Sequence, residues 1–304
     1  MDTPILKVSN LSKSIKKKEI IKNISFQLKK GEVLGFLGAN GAGKSTTLRM
    51  LVGLSRPSAG TISICGHSIR DDYVKAMSHV GCIIEGPDLY DYLSGYKNLE
   101  LLGAMSKHVT KEAIDHAVAL VGMSSRIHDK VRIYSMGMKQ RIGLAQALIH
   151  QPDLLILDEP TNGLDPQGIH EFREIIQSLA KEAGISVLIS SHLISEIQLM
   201  CDRVCIINHG IIVRDDAVTD LLSSNEIVWA LNNPSQGQKI LSEHFKLDSQ
   251  ITDQNELVAA IDPDVLPKIN ELFVTSGLEL QTVATKKSTL EALFLSLTNQ
   301  QTIQ

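Results

Sequence analysis

The sequence predicts an α/β protein with a helical insertion and a small α+β domain at its carboxyl end. Short apolar runs bounded by glycine or charge, such as residues 33–37 and 154–157, are typical of strands buried on both faces of a sheet. Segments with apolar residues three and four apart separate most of these runs, which indicates helices between strands. From residue 215 to residue 238 the chain becomes rich in Asp, Ser, Asn and Gln, which predicts a domain boundary near Ala217.

The amino-terminal third predicts a hairpin followed by a strand and a helix. Residues 5–9 and 20–28 are predicted strands, and the polar stretch SKSIKKKE between them is a predicted turn with solvated lysines. The run at 33–37 leads through glycines into the helical stretch KSTTLRMLVGL, which ends where Pro57 and Gly60 break the chain.

The middle of the chain predicts a helical block that interrupts the sheet. We expect residues 99–150 to be helical throughout, because KEAIDHAVALVGM and GMKQRIGLAQALIH repeat apolar residues three and four apart. A helical subdomain is therefore predicted over about residues 88–150. The further predicted strands are residues 61–64, 80–84, 154–157, 186–190 and 204–207, before a hairpin turned at His209 and Gly210.

Residues 226–304 predict a small α+β sandwich. The predicted order is the strand EIVWAL, a helix over 236–245, a weak strand over 250–253, the strand ELVAAID, a helix over 265–276, the strand LELQTVAT and the helix STLEALFLSL. Ser288 and Glu291 form a capping-box pattern at the start of the last helix. This segment shows no catalytic cluster, so we expect a catalytic domain over 1–217 and an accessory domain over 218–304.

Composition and charge exclude several classes of protein. Hydrophobic residues are 43% and charged residues 21% of the chain, as in ordinary globular proteins, and the net charge of −4 leaves no global basic field for nucleic acid. No apolar run reaches the roughly 18 residues of a membrane span, and no secretory signal opens the chain, so a cytoplasmic location is expected. We expect the cysteines to be small buried hydrophobic residues rather than metal ligands; they are Cys65, Cys82, Cys201 and Cys205.

The strongest local motif is GANGAGKST, which matches the phosphate-binding pattern GxxxxGK[ST] between a predicted strand and a predicted helix. Its glycines let backbone N–H groups approach phosphate oxygens, and the start of the helix adds a positive field. Lys44 supplies a cation for the β- and γ-phosphates, and Ser45 supplies a hydroxyl ligand for Mg²⁺. The residues expected to hold the nucleotide are Gly38, Ala39, Asn40, Gly41, Ala42, Gly43, Lys44, Ser45 and Thr46.

The second motif is LLILDEP, a buried strand that ends in two carboxylates, which is the Walker B pattern. If this strand neighbours the strand before the glycine-rich loop, the carboxylates emerge beside the phosphates. Asp158 can then hold Mg²⁺ through water, and Glu159 can orient and polarise an attacking water as a general base. A lone Asp-Glu pair would more often be a solvated strand end, but the preceding motif favours a site.

The third motif is YSMGMKQR, which opens a predicted helix with Ser135 as its N-cap, an arrangement that suits an anion. With this motif the chain resembles the ATP-binding cassette (ABC) ATPases over residues 5 to about 217. The resemblance implies that Tyr134 to Met138 correspond to the family's signature sequence. Ser135 and Gly137 would then meet the γ-phosphate of ATP held by the opposite subunit of a head-to-tail dimer. Met138 stands where the family more often has Gln, so the side-chain contact there differs.

Further family elements follow in order. NGLDP resembles the loop whose aspartate, Asp165 here, links the two sites across the dimer, and SSHLISE resembles the switch region whose histidine, His192 here, reaches the γ-phosphate. Glu159, His192 and Lys44 are accordingly the expected catalytic residues, with ATP and Mg²⁺ as cofactors.

Two positions depart from the family pattern. Glu85 replaces the glutamine expected after the strand at 80–84, and its carboxylate is expected to take Mg²⁺ or the metal's water. Ile15 replaces the aromatic residue that stacks on adenine, which removes roughly 1 kcal/mol or more of stacking and predicts loose base selectivity, with GTP competing with ATP.

The resemblance implies an ATP-hydrolysing subunit of a membrane transporter, attached to the inner face of the cell membrane through separate permease subunits. The tyrosine-rich segment from Leu89 to Tyr96 is the expected docking surface for a permease, because aromatic residues are favoured at interfaces. Ordinary packing under the helical block is the alternative interpretation of those tyrosines. The glutamate at position 85, the YSMGMKQR form and the ending STLEALFLSLT most resemble exporters of bacitracin and lantibiotic type.

Two other functional classes stay open at this point. A soluble ABC ATPase that remodels nucleic acid or ribosomes usually has two cassettes or a long coiled coil, and this chain has one cassette and no sustained heptads. A nucleotide-sensing regulatory module fits the unusual Glu85 and Ile15, although Glu159 and His192 together favour turnover. A permease gene beside this one would separate the transporter from the remodeller.

Overall fold

A computed structural model of the protein describes residues 3–106, 109–222, 226–285, 290, 291 and 294. The chain divides into two compact units that meet between Val218 and Thr219, one residue beyond the boundary that the composition predicts. The fold class is the predicted one, an α/β unit with a helical block followed by a smaller α+β unit.

The first unit is built from strands that form separate sheets and from helices that cover them. Its strands are β1 (Leu6–Ile15), β2 (Lys18–Leu28), β3 (Val33–Leu37), β4 (Ala59–Ile64), β5 (His67–Ser68), β6 (Val80–Ile83), β7 (Leu154–Asp158), β8 (Ser186–Ser191), β9 (Arg203–Asn208) and β10 (Ile211–Ala217). Its helices are α1 (Lys44–Leu51), α2 (Tyr73–Ser78), α3 (Gly95–Gly103), α4 (Lys111–Leu120), α5 (Met136–Leu148), α6 (Pro166–Lys181) and α7 (Ile194–Met200), and α8 (Val218–Leu222) spans the division between the units.

The larger sheet determines where the motifs meet. Its order is β10-β9-β3-β8-β7-β6, with β9, β3, β8, β7 and β6 parallel and β10 antiparallel. All residues of β3, β7 and β8 are buried, as their continuous apolar character predicts. The Walker B strand β7 does not directly neighbour β3, the strand before the glycine-rich loop, because β8 lies between them. The motifs still meet, since parallel strands end at the same edge of a sheet.

The second sheet is antiparallel, with the order β2-β1-β4-β5. The first hairpin is longer and its turn tighter than predicted, because β1 and β2 pair as far as Ile15 and Lys18. Lys16 and Lys17 form this turn with φ of 46° and 70°, the left-handed conformation that a two-residue hairpin turn requires. The polar residues before and after the turn belong to the strands, because one face of an antiparallel pair can remain solvated.

The helical block contains α3, α4 and α5, but it is not helical throughout. Residues 121–135 form turns and one short 3-10 segment, Val131–Ile133, so the expectation of continuous helix over 99–150 is wrong there. Ser94, Thr110 and Ser135 cap the three helices by accepting a hydrogen bond from the backbone N–H three residues on. The caps explain why the block divides into separate helices.

The second unit has the order βαββαβ. It contains β11 (Glu226–Leu231), α9 (Pro234–Phe245), β12 (Ser249–Ile251), β13 (Leu257–Ala260), α10 (Leu266–Thr275) and β14 (Leu280–Thr285).

Its antiparallel sheet has the order β12-β13-β11-β14, with the helices packed on the face of β11 that Trp229 occupies. The Trp229 ring is buried against Phe273 at 5.7 Å between centroids, and its Nε1–H donates to Asn270 Oδ1 at 2.8 Å. The predicted capping box at Ser288 lies outside the described residues.

The cysteines divide into two kinds. Cys201 and Cys205 are buried, and burial raises the pKa of both thiols, as expected of small hydrophobic residues. The same expectation is wrong for Cys82, which is exposed on β6 at the edge of the sheet, and for Cys65, which is only half-buried in the turn between β4 and β5.

None of the helices in the described ranges combines the length and the hydropathy that a membrane crossing requires.

Removing residues 221–304 tests whether the first unit is a domain that acts alone. We expect the shortened chain to bind a non-hydrolysable ATP analogue with the affinity of the full chain in isothermal titration calorimetry, because the residues of the three motifs precede Val218. Loss of binding by a shortened chain that keeps its circular dichroism spectrum would show that the boundary near Ala217 is misplaced.

Candidate functional site

The glycine-rich loop connects β3 to α1 at the carboxyl edge of the larger sheet. Two of its glycines are needed for backbone reasons: Gly43 has φ of 113°, and a Cβ at Gly38 would lie 2.6 Å from the Ile207 carbonyl oxygen. Nothing lies within 4 Å of a Cβ built on Gly41, so the outer part of the loop faces open space. The loop therefore wraps closely around the start of α1 and leaves one side accessible.

Lys44 is the first residue of α1, and only 5% of its surface is exposed. Its ammonium donates to the carbonyl oxygen of Gly38 at 2.7 Å and lies 3.2 Å from Glu159 Oε1. A buried ammonium needs such partners, because the desolvation of an unpaired charge costs roughly several kcal/mol of folding free energy. The ion pair joins the glycine-rich loop to the end of β7.

Glu159 is held between a cation and an imidazole. While Oε1 faces Lys44, Oε2 accepts a hydrogen bond from His192 Nδ1 at 2.7 Å. Glu159 has φ of 47°, a left-handed backbone conformation that non-glycine residues rarely adopt and that turns its side chain out of the line of β7. The three predicted catalytic residues are thus in one hydrogen-bonded group.

Asp158 and Ser190 form a second connected pair behind that group. The Ser190 hydroxyl donates to Asp158 Oδ1 at 2.5 Å and accepts from the Glu159 backbone N–H at 3.0 Å. Both residues are buried and lie opposite each other in the β7–β8 register. The Ser190 hydroxyl therefore orients Asp158 by contacting the aspartate side chain, and it orients Glu159 by contacting the glutamate backbone.

A cleft of about 420 Å³ opens over these groups. Six of the nine predicted nucleotide-binding residues line it, together with Glu159 and His192; they are Asn40, Gly41, Gly43, Lys44, Ser45 and Thr46. Gly38, Ala39 and Ala42 lie behind its wall, where the carbonyl oxygens of Gly38 and Ala39 accept from Lys44 and the Ala42 carbonyl oxygen accepts from Gly210.

The two positions that depart from the family pattern lie outside this lining. Ile15 is 48% exposed at the end of β1, and Ile20, on β2, lines the cleft instead. Glu85 follows β6 with φ of 72° and forms an ion pair with Arg49 in the last turn of α1. The contact described for the Glu85 side chain is thus the one with Arg49, and its contact with a metal stays a prediction.

The signature motif lines a different cleft, of about 460 Å³. Ser135 caps α5 by accepting from the Met138 backbone N–H, and Gly137 follows Met136 in the first turn. Asp165 caps α6 in the same way, accepting from the Gly168 backbone N–H at 2.8 Å. This cleft is bounded by Ser135, Met136, Gly137, Met138, Arg126, Arg141, Gly163, Leu164 and Asp165, among others, and it shares no lining residue with the first cleft.

Sequence reasoning missed several residues of the site. The motif SSHLISE includes Ser190, but the sequence does not predict the hydrogen bond between Ser190 and Asp158, because that contact depends on β7 and β8 being neighbours. Asn162 also lines the first cleft, and Thr161 behind it donates to the buried carboxylate of Glu196. Arg49 gave a local signal, since it is the basic residue of the last turn of α1, but its pairing with Glu85 is long-range.

The fold and these motifs together define a P-loop nucleotide-hydrolysing protein of the ATP-binding cassette class. The family model described as "ABC transporter" matches residues 21–162. The uncharacterised ABC transporter ATP-binding protein YhcH of Bacillus subtilis is 44% identical over 298 residues, covering 97% of this chain and 96% of that protein. The chain belongs to the ATP-binding proteins of the ABC transporter family.

Two relatives with named transport functions also match. The bacitracin transport ATP-binding protein BcrA of Bacillus licheniformis is 36% identical and covers 98% of this chain and 99% of its own length. The lantibiotic transport ATP-binding protein SrtF of Streptococcus pyogenes is 42% identical, but the match covers 69% of this chain and 90% of SrtF. The predicted resemblance to the bacitracin and lantibiotic group is thereby confirmed.

Among solved structures, cbiO1 of Clostridium perfringens, described as part of the ABC transporter complex cbiONQ, superposes with a TM-score of 0.67. It is 27% identical and covers 81% of this chain and 97% of its own. The predicted fold is therefore confirmed, and so is the predicted activity: the chain is an ATP-binding, ATP-hydrolysing cassette. None of these findings favours the nucleic-acid or ribosome remodeller.

Replacing Ser190 with Ala should lower kcat for ATP by at least about tenfold, because the substitution removes a hydrogen bond to a buried carboxylate that contributes about 1.5–3 kcal/mol. Steady-state ATPase assays at several Mg²⁺ concentrations measure the effect, and the Mg²⁺ requirement should rise as well. Ser191→Ala is the matched control, since Ser191 is also buried in β8, but among the described residues its Oγ contacts no carboxylate and accepts from the Leu193 backbone N–H. Equal losses in both variants would contradict a specific role for Ser190.

Proposed function

We propose that the chain powers an exporter of peptide antibiotics of the bacitracin and lantibiotic type, by hydrolysing MgATP between two cassettes that are docked on membrane-spanning permease subunits. The observation that carries the hydrolytic part is the group of Lys44, Glu159 and His192, with Glu159 oxygens 3.2 Å from the Lys44 ammonium and 2.7 Å from His192 Nδ1. The similarity to BcrA over nearly the whole of both chains supports the transported class.

We assign each of these three side chains a step in the proposed reaction. The γ-phosphate of ATP competes with Glu159 for the Lys44 ammonium, because phosphate oxygens are strong partners for a buried cation. Glu159, released from the lysine, accepts a proton from the attacking water, and His192 holds the carboxylate in orientation. His192, 38% exposed at the rim of the cleft, is also able to donate to the γ-phosphate.

The donor set at the site fits Mg²⁺, which prefers hard oxygen ligands. The Ser45 hydroxyl lines the cleft, and the buried Asp158 carboxylate has one oxygen fixed by Ser190 and a second that no neighbouring donor occupies among the described contacts. These two residues would hold the ion, which when bound neutralises charge on the β- and γ-phosphates. Glu85 has its Oε1 in the ion pair with Arg49, so its Oε2 is the oxygen that would face the metal's water.

Base recognition is expected to be loose. Ile15 offers an exposed aliphatic side chain in the place where the family has a ring, and Ile20 is the apolar residue of the cleft lining. Aliphatic contacts do not distinguish one purine from another, so GTP is expected to compete with ATP.

The second cleft suits the phosphates of a nucleotide held by another copy. The first turn of α5 carries no acidic residue, and Ser135 and the backbone N–H groups of that turn lie at the positive end of the helix dipole. Because the two clefts share no lining residue, one chain supplies two half-sites. A head-to-tail dimer completes both, with Ser135, Gly137 and Met138 acting on the partner's nucleotide and Asp165 near the junction.

The segment from Leu89 to Tyr96 has the properties of a docking surface for a permease. Tyr90 and Tyr92 are 48% and 68% exposed, with their rings 5.8 Å apart. The buried Asn98 side chain accepts from the Tyr90 backbone N–H at 2.7 Å and donates to the Tyr90 carbonyl oxygen, so the loop that presents these rings is fixed. Rigid exposed aromatic residues are typical of interface anchors. Docking here would hold the chain at the inner face of the membrane.

A susceptibility assay tests the transport proposal. In a bacterial strain from which this gene has been deleted, we expect the wild-type gene to raise the minimal inhibitory concentration of bacitracin or of a lantibiotic several-fold, and Glu159→Gln to restore none of it. The amide cannot accept the water proton, so export stops while ATP binding continues.

Cys82→Ser is the control variant for this assay, because Cys82 is exposed and belongs to neither cleft lining. Unchanged susceptibility to both antibiotics after deletion of the gene would overturn the proposed substrate class. Full tolerance with Glu159→Gln would overturn the proposed mechanism instead.

A further inference from the structure

Three side chains come together at the amino end of β7, the end away from Asp158. Neither ATP hydrolysis nor the proposed transport uses them. Cys65, His79 and Asp153 each offer one ligand atom, and these atoms all lie within 4.8 Å of one another. The residues come from separate parts of the chain: Cys65 from the turn between β4 and β5, His79 from the end of α2, and Asp153 from the residue before β7. A thiol, an imidazole and a carboxylate are the three ligand types that Zn²⁺ uses in proteins.

We propose that Cys65, His79 and Asp153 form a binding site for a divalent transition-metal ion, Zn²⁺ by preference, which joins the β4–β5 turn and α2 to the start of β7. The thiolate, one imidazole nitrogen and one carboxylate oxygen supply three ligands, and water supplies the fourth position of a tetrahedron. The thiolate disfavours Mg²⁺ and Ca²⁺, which prefer oxygen ligands.

The backbone holds two of the three ligands in place. The His79 carbonyl oxygen accepts from the backbone N–H groups of Asp153 and Leu154, both at 3.0 Å. His79 Nδ1 lies 2.6 Å from Asp153 Oδ2, so the imidazole and the carboxylate already face each other. The His67 ring stacks on the His79 ring with centroids 5.9 Å apart, which limits the rotation of the imidazole. Such prior ordering lowers the entropic cost of binding an ion.

Cys65 occupies an unfavourable backbone position for its residue type. It has φ of 49° and precedes Gly66, which has φ of 82°, in the two-residue turn that closes the Ile64–His67 pair. This turn favours Asn or Gly at both positions, and the left-handed conformation costs other L-residues roughly 1–2 kcal/mol. A cysteine in this place gives no turn advantage, whereas its Sγ lies within 4.8 Å of the ligand atoms of His79 and Asp153.

The position of the site indicates a stabilising rather than a catalytic role. Asp153 precedes the first residue of β7, and Asp158 is the last, so the two aspartates lie at opposite edges of the parallel sheet. Because a strand rises about 3.3 Å per residue, the cluster at Asp153 and the catalytic cleft at Asp158 are separated by more than about 10 Å. Binding of Zn²⁺ should therefore raise the temperature of unfolding and leave kcat for ATP little changed.

Cobalt spectroscopy on the full chain, stripped of metal and kept reduced with a phosphine, tests the proposal. Titration with Co²⁺ should give a thiolate-to-cobalt charge-transfer band that saturates at one equivalent and is removed by one equivalent of Zn²⁺. Cys65→Ser should abolish the band, and Asp153→Asn should keep it but weaken Co²⁺ affinity by at least about tenfold. Cys82→Ser, which removes the exposed cysteine of β6, should behave like the wild type.

Thermal unfolding supplies the second measurement. Zn²⁺ should raise the midpoint of the wild type and of Cys82→Ser, but not that of Cys65→Ser. Absence of a saturable charge-transfer band in the wild type would overturn the proposal, as would equal Co²⁺ affinity in wild type and Asp153→Asn. If Cys65→Ser does not fold, Asp153→Asn still decides, because the amide has nearly the size and shape of the carboxylate that it replaces.

Discussion

The parallel pairing of β3, β8 and β7 is the constraint on which the rest of the structure depends. In-register pairing places Phe36 and Asp158 on either side of Ser190, so the glycine-rich loop, the Walker B carboxylates and the switch region leave the sheet at one edge. Every residue of these three strands is buried, and a slip in register by one residue would turn their side chains to the other face and move the predicted catalytic residues apart. The hydrophobic sheet therefore sets the geometry of a polar site.

Charge balance then decides how the site is held. One buried ammonium, Lys44, is compensated by loop carbonyl oxygens and by Glu159, and Glu159 in turn accepts from His192. Removal of one charged side chain from such a buried group leaves the opposite charge uncompensated. The resulting loss of stability is larger than the net free energy that the intact group contributes. The same property suits a site whose partners exchange when a phosphate arrives, because a phosphate oxygen can replace the Glu159 oxygen as the negatively charged partner of Lys44.

The parts of the site that the sequence predicts are those encoded by contiguous residues. GANGAGKST needs only its own glycines and Lys44 to form a phosphate loop, and Ser135 caps α5 from within its own motif, so both were predictable. The partners of Asp158 and Glu85 were not, because Ser190 and Arg49 are more than 30 residues away from them in sequence. Local periodicity likewise overestimated helix in residues 121–135, where the caps of the flanking helices end the regular structure.

In the proposed dimer each chain contributes two half-sites, which a second copy completes in head-to-tail orientation. Cross-linking tests it directly, in chains that carry Cys82→Ser to remove the exposed cysteine and Glu159→Gln to preserve ATP. One preparation carries Asn40→Cys in the first cleft, and the other carries Met136→Cys in the second. A bifunctional maleimide should join the two preparations to each other when ATP is present, and should join neither to itself. Cross-linking that is independent of ATP, or that occurs equally within one preparation, would contradict the account.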